Sequence, residues 1–506
     1  MSSSMTDTAT AIRRYGQFID GRVESADDRP TITRHSPVDG RELAEIPAGT
    51  RDDTVRAIAA ARRAFDAGSW SRIPAMDRAR TLLRIAALIR SDAARLARIE
   101  AEETGKPLRY AESDIAGSAE LFEYAAGLAM SAHGEAHTGL GEDCTALVVR
   151  EPAGVAAMIM PWNFPLLLLA QKLPFALAAG CTAVVKPSEF TSGTTLELTS
   201  ILAEAGIPAG VVNVVTGFGA EVGAVLAESP DVDLLSFTGS TATGRAITAA
   251  SADTAKRLSM ELGGKAANIV FDDADLDDAL DGVLFGAFFN NGECCVAGAR
   301  LLVQDTIADE FVERLIASAR QLRLGDPLDE SVDVGPMIHA DHARKVRGHI
   351  VSAESHGGRI ALGGDRREDD TGASGHFVDP TIIVDVAEES PEFVEEIFGP
   401  VLTVTRFSDA AEAVRLANAT QYGLSGSLWT KNIDRALSVA KGLRSGRVWV
   451  NTTIDGGPQL PAGGMKQSGY GREMGNAGFE EFTEIKTIQI REGRRQKAFP
   501  HISDIS

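Results

Sequence analysis

The residues best suited to covalent chemistry lie in one short segment, Asn290-Asn291-Gly292-Glu293-Cys294-Cys295-Val296-Ala297-Gly298-Ala299-Arg300. A cysteine in a polar, glycine-flanked stretch is a candidate nucleophile wherever its thiolate is stabilised. Taken singly, either cysteine could equally be a packed structural residue. The chain holds only four cysteines, Cys144, Cys181, Cys294 and Cys295. So few, two of them adjacent, build no disulfide framework and fit a reducing compartment.

The elements that must position such a residue follow from length and pattern. At 506 residues the chain is too long for one ordinary core. Hydrophobic residues make up 44% and charged residues 24%, the profile of a large globular protein. The formal net charge of −21 repels phosphate backbones and anionic lipid, which disfavours nucleic-acid and membrane-surface partners. The uncharged stretch 153–171 is long enough to raise a membrane question. Pro161, Asn163 and Pro165 would break a lipid-exposed helix there, so it is read as buried core. Residues 1–10 are polar and lack the apolar run of a signal peptide. A cytoplasmic protein is the expectation.

Helical spacing covers 54–65 and 77–103, with Thr104-Gly105-Lys106-Pro107 as a stop. From about residue 154, short apolar runs at 155–160, 183–186, 211–216 and 234–238 alternate with helical stretches at 192–205 and 220–228. That rhythm predicts a doubly wound parallel sheet. A second alternation follows, with strands at 267–271 and 401–407 and helices at 276–289 and 308–320. The tail 479–490 alternates apolar and polar residues and is expected to be an extended strand joining a sheet in this subunit or a neighbour. Gly217-Phe218-Gly219-Ala220-Glu221-Val222-Gly223 follows one strand and opens a helix. It is a weak dinucleotide signal, and a tight strand-to-helix turn explains it as well.

Company decides the reading of the cysteine segment. Glu261-Leu262-Gly263-Gly264-Lys265 begins 34 residues upstream of Cys295. Further back stand Pro161-Trp162-Asn163-Phe164-Pro165, Lys186-Pro187-Ser188-Glu189 and Phe237-Thr238-Gly239-Ser240-Thr241. Glu396-Ile397-Phe398-Gly399-Pro400-Val401 lies downstream. In this order and spacing the six motifs resemble the aldehyde dehydrogenase superfamily, and the resemblance runs from about Phe18 to about Ile490.

The resemblance implies an NAD-dependent enzyme that oxidises an aldehyde to the acid. Cys295 matches the nucleophile, in the pattern Gly-Gln/Glu-any-Cys, and would form a thiohemiacetal and then a thioester. Asn163 matches the amide that, with the Cys295 backbone N–H, stabilises the oxyanion. Glu261 matches the general base that activates the hydrolytic water. Cys294 fills the variable slot, either as a packed side chain or as a redox partner.

For the cofactor, the resemblance places the helix begun by Gly239, Ser240 and Gly244, after Phe237 and Thr238, at the pyrophosphate. It places Gly219 and Gly223 near the adenine, and Lys186, Ser188 and Glu189 at the adenosine ribose. A carboxylate at Glu189 favours NAD over NADP. Glu396 and Phe398 match the grip on the nicotinamide ribose and ring. Met160, Pro161, Trp162, Leu262 and Gly263 complete the channel. No metal is expected.

Two departures stand out. His342 occupies the place of a glutamine that in many relatives touches the nicotinamide ribose. Residues 451–464 lack the aromatic residues of relatives that oxidise small apolar aldehydes, with Ala462 where those carry phenylalanine. A wider tunnel suggests an aldehyde bulkier or more polar than acetaldehyde. Asp455, Asp114 and Glu112 could attract an aminoaldehyde or betaine aldehyde. Ser113 and Gly117 replace the rest of that pattern, and plain surface acids explain the same residues. No second basic residue is evident beside the nucleophile of the kind that semialdehyde dehydrogenases use to hold a substrate carboxylate.

By resemblance the α/β architecture is the aldehyde dehydrogenase fold, two doubly wound parallel-sheet domains plus a small bridging β-sheet. The expected division is an NAD-binding part at 1–130 and 151–260 and a catalytic part at 261–475. A bridging, oligomerising sheet is expected at 131–150 and 476–495, with a tail at 496–506. A homodimer or homotetramer is expected. The alternatives are a coenzyme A-acylating relative, which normally lacks the glutamate at Glu261, and a silent structural relative, which often loses the nucleophile or base.

Overall fold

The fold is described from a computed structural model covering residues 12–27, 29–364, 375–494 and 498–499. The expected tail 496–506 lies outside these residues except for 498–499. Five parallel strands form the heart of an eight-stranded sheet: β1 (Val155–Ile159), β2 (Thr182–Lys186), β3 (Val212–Val214), β4 (Leu234–Thr238) and β5 (Arg257–Glu261). Every residue of β1, β2 and β4 is buried, as expected where helices cover both faces of a parallel sheet. The spatial order of these five is β5-β4-β1-β2-β3. The chain therefore winds one way from β1 to β3 and then the other way through β4 and β5. The reversal falls between β1 and β4, and ligands of open α/β sheets bind at the carboxyl ends of strands at such a point.

A second, seven-stranded sheet contains β6 (Ala267–Val270), β7 (Arg300–Gln304), β8 (Thr381–Val384), β9 (Val401–Phe407), β10 (Ser425–Trp429) and β11 (Arg447–Val450), mutually parallel. Two apolar clusters, around Phe271 with Leu428 and around Phe311 with Trp429, fill the space between this sheet and its helices. A third sheet joins Glu135–His137, Cys144–Pro152 and β12 (Thr483–Arg491), the last two paired antiparallel over nine residues.

Some expectations are corrected. The pattern at 77–103 forms two helices, Ala75–Ser91 and Ala93–Thr104, because Asp92 leaves helical geometry at φ −111°, ψ 13°. The tail does not extend from residue 479. Gly475–Glu481 is helical and the strand begins at Thr483. Phe479 and Phe482 instead turn inward and join the core of the first sheet. The uncharged stretch 153–171 supplies β1 and the short helix Pro165–Ala170, both almost wholly buried. Among the described residues no helix is long and apolar enough to cross a membrane.

Candidate active site

Each candidate catalytic residue follows a strand or helix end. Asn163 lies just beyond β1 and Glu261 is the last residue of β5. Cys295 follows the helix Leu276–Phe288 through a turn in which Asn290, Asn291 and Gly292 all have positive φ (51°, 61° and 70°). Asparagine tolerates the left-handed region because its short amide bonds locally. Here Asn291 donates to the carbonyls of Gly105 and Pro336, each at 3.1 Å, and accepts from Gly335 N at 2.7 Å. Gly292 has no alternative, since a β-carbon there would collide with the Gly399 backbone.

The turn is tied to the first sheet. Asn163 is buried, and its Nδ2 donates to the Glu293 carbonyl at 3.1 Å, leaving its second N–H uncommitted. Glu293 accepts from Ile338 N at 3.0 Å through Oε1. The neighbouring Cys294 side chain and burial together push the Cys295 thiol well up. Cys294 is buried and Cys295 half-buried, and neither is in a disulfide.

Cys295 and Glu261 line one cavity of about 430 Å³, with Thr238, Arg447, Asp455 and Ala462 among its walls. Glu261 Oε1 and Thr238 Oγ1 are buried without a protein partner. Burial raises the Glu261 carboxyl to about 8 against the pull of nearby Lys172. Lys172 is itself buried and paired with Glu473, with Ser236 Oγ at 2.8 Å. The lysine and its partner are 301 residues apart, which is why no local pattern pointed to them.

The cofactor candidates gather along the carboxyl ends of the same strands. Ser240 accepts from Thr243 N at 3.2 Å and caps the helix Thr241–Ala250, whose first turn is largely exposed. Gly239 precedes the cap, and buried Gly244 packs on Leu262. Lys186 ends β2, with Nζ 3.0 Å from the Pro187 carbonyl and 3.4 Å from Glu189. Ser188 closes that turn by accepting from Phe190 N at 3.3 Å. Gly219 opens a short π-helical turn ending at Gly223, and a β-carbon at Gly219 would meet nothing within 4 Å. Met160 and Phe237 are buried at the strand ends.

Across from them, Glu396 accepts from Gly264 N at 2.8 Å, and burial raises its carboxyl to about 7. A side chain on Gly263 would strike that carboxylate. Phe398 has φ +61°, and its carbonyl lies 2.7 Å from His342 Nε2. Trp162, next to Pro161, meets the Phe398 ring edge-on at 5.4 Å and the His342 ring at 5.4 Å. His342 thus has a partner in the chain itself, the carbonyl of the residue expected to hold the nicotinamide.

Two readings of the substrate wall change. Asp114 is buried and paired with Lys106, which also bonds Glu100 at 3.1 Å, so this acid is not free. A basic residue does line the cavity with the nucleophile: Arg447, the first residue of β11. It lies far along the chain from Cys295, so spacing gave no signal.

Comparison with known proteins agrees with this geometry. The aldehyde dehydrogenase family profile matches residues 23–488. Over 471 residues the chain is 44% identical to a betaine aldehyde dehydrogenase of Bacillus subtilis (strain 168), covering 93% of this chain and 96% of that one. It is 42% identical to a peroxisomal aminoaldehyde dehydrogenase of Pisum sativum, covering 93% and 94%. The fold matches an NAD-dependent aldehyde dehydrogenase from Sinorhizobium meliloti with TM-score 0.94 and 45% identity, covering 96% of both chains. It matches a betaine aldehyde dehydrogenase from Staphylococcus aureus, solved in complex with NAD+, with TM-score 0.94 and 39% identity, again covering 96% of both. The chain belongs to the aldehyde dehydrogenase family.

Proposed function

We propose that this protein oxidises an aldehyde bulkier or more polar than acetaldehyde to the carboxylic acid with NAD, through a thioester on Cys295. The observation that carries the reading is the Cys295 thiol in the wall of one cavity with Glu261, one of whose carboxyl oxygens is buried without a protein partner.

In the proposed sequence the Cys295 sulfur bonds to the carbonyl carbon as its proton passes to solvent water, and the C=O electron pair moves to oxygen. The free N–H of Asn163 and the backbone N–H of Cys295 hold that oxyanion, each such donor lowering the barrier by about 3 kcal/mol. Loss of hydride from the same carbon leaves the thioester. Glu261 then takes a proton from water as the water attacks, and the C–S bond breaks to restore the thiol. A carboxyl held near 8 keeps a useful fraction of base at neutral pH while being strong enough to accept the proton.

NAD, when bound, supplies the hydride acceptor. Its fit is supported by the exposed N-terminal turn of Thr241–Ala250 for the pyrophosphate, by Glu189 and Lys186 for the adenosine ribose, and by Glu396 and Phe398 for the nicotinamide end. Met160, Pro161, Trp162, Ser188, Gly219, Gly223, Phe237, Thr238, Leu262 and Gly263 belong to the same proposed channel. The division into NAD-binding, catalytic and bridging parts is part of this reading.

The relatives' names and the absence of aromatic residues at 451–464 make amino- and betaine aldehydes the first substrates to try. Glu120 and Asp455 line the cavity as carboxylates that could face a cationic nitrogen. The exposed Ile485, Ile488 and Ile490 on β12 support pairing into a homodimer or homotetramer, which light scattering would size.

The test is NADH formation from a panel of aldehydes, with and without coenzyme A. Turnover without coenzyme A is expected. Strict dependence on coenzyme A favours an acylating enzyme, and no turnover with any aldehyde overturns the reading. Full activity in Cys295→Ala would sink the site assignment.

A further inference from the structure

The segment Thr104-Gly105-Lys106-Pro107 joins the helices Ala93–Thr104 and Leu108–Ser131 and touches both halves of the candidate oxyanion site. The Gly105 carbonyl accepts from Asn291 Nδ2 at 3.1 Å, in the turn that carries Cys295. Lys106 is buried, and its Nζ lies 4.2 Å from the centroid of the Phe164 ring. Phe164 follows Asn163 directly and lines the cavity. Its ring also stacks on Phe289, the residue before the nucleophile turn, at 5.9 Å and 23°. Asn163 is tied to that turn twice, through Nδ2 to the Glu293 carbonyl at 3.1 Å and through its own carbonyl to Asn290 Nδ2 at 3.4 Å.

Stability alone does not account for an ammonium at this place. Withdrawing three charges from water is costly, and apolar side chains of similar volume often hold a core as well or better. Lys106 is paired with Asp114 and, at 3.1 Å, with Glu100. Burial by itself would lower the ammonium, but the two carboxylates outweigh it and hold it above the ordinary lysine value, so it keeps its charge at neutral pH. A cation over an aromatic face is attracted by the ring's quadrupole, most strongly where water is excluded. What the charge adds over an apolar side chain is direction, because it fixes where the face of the ring must lie.

We propose that Lys106 is a positioning residue for the oxyanion site: its ammonium holds the Phe164 ring and, through the peptide that Phe164 shares with Asn163, aims the free N–H of Asn163. This rests on Asn163 acting as the oxyanion donor, as set out above.

The experiment reads two rates in the wild type, K106M, K106R, F164L and the double variant K106M/F164L. One is single-turnover NADH formation at saturating NAD and aldehyde, which needs the oxyanion donor. The other is alkylation of Cys295 by iodoacetamide, a displacement that forms no oxyanion. K106M should slow NADH formation roughly 10- to 100-fold, approaching the cost of losing an oxyanion donor, and leave alkylation nearly unchanged. K106R, which keeps the charge, should recover much of the NADH rate. In F164L the added K106M should cost less than it does alone, because the ring it acts through is gone. An unchanged NADH rate in K106M, an equal fall in both rates, or full additivity with F164L overturns the proposal. If K106M does not fold, K106M/D114N, which removes both charges of that pair, is judged by the same two rates. A wild type inert to every aldehyde strikes at the proposed reaction itself, and this assignment falls with it.

Discussion

Gly264 sits against Cys295 so closely that a β-carbon on the glycine would overlap the cysteine's carbonyl oxygen. The turn after β5 and the turn after Leu276–Phe288 therefore share one contact surface. Gly264→Ala must push the Cys295 backbone, and with it the N–H proposed to face the oxyanion. We expect kcat to fall by about 10²-fold or more, the cost of displacing one oxyanion donor or misplacing the nucleophile. Unfolding temperature should change much less. Wild-type kcat in a folded G264A protein would show that the contact does not position Cys295.

Glu261 is expected to separate the two half-reactions. Glu261→Gln keeps the volume and removes the base, so NADH should appear as a burst of one equivalent per site followed by turnover slowed about 10²- to 10⁴-fold. The wild-type deacylation rate should rise with pH as the carboxyl loses its proton near 8, since only the anion accepts one from water. A rate flat between about pH 6.5 and 9 would show that Glu261 is not the base.

Glu396 gives a second pH dependence of the same sign with a different readout. Its carboxyl is raised to about 7 by burial, and the ionised form is the stronger acceptor for the ribose hydroxyls it is proposed to hold. NAD affinity, followed by quenching of protein fluorescence, should tighten as pH rises through 7. In Glu396→Gln that slope should vanish and affinity should drop about tenfold. A wild-type affinity independent of pH would separate this residue from the ribose.

His342 holds the strained Phe398 through one hydrogen bond to its carbonyl. Burial lowers the imidazole to about 4, so it stays neutral and Nε2 must carry the proton to donate. His342→Leu should raise the KM for NAD several-fold, whereas His342→Gln, which keeps a donor, should retain most of the affinity. Equal behaviour of the two variants would remove the bond from the account.

Much of this was legible in the sequence where burial is simple. Residues 234–238 and 401–407 form strands with the expected bounds, because a largely buried strand reads as a short run dominated by apolar and β-branched residues. The nucleophile segment and the motifs around Asn163, Glu261 and Glu396 do converge, since each is a local turn placed by a strand or helix end. What failed was long-range. Arg447, and Lys172 with Glu473, reach the site from distant parts of the chain, and Asp114 is consumed by Lys106 in a pairing no spacing announces. Phe479 and Phe482 misled because the same apolar pair can face a sheet or plug a core.

Glu261 ends a strand of the first sheet, whereas Cys295 leads into the second and Arg447 opens its edge. A chain emerging from the ribosome therefore carries its thiol long before residues 447–464 have been made. Until they close over it, the cysteine has neither its finished pocket nor the two-sheet frame that aims it. Reactivity is thereby deferred to the last stage of folding, so half-made copies should be poor traps for the aldehydes around them.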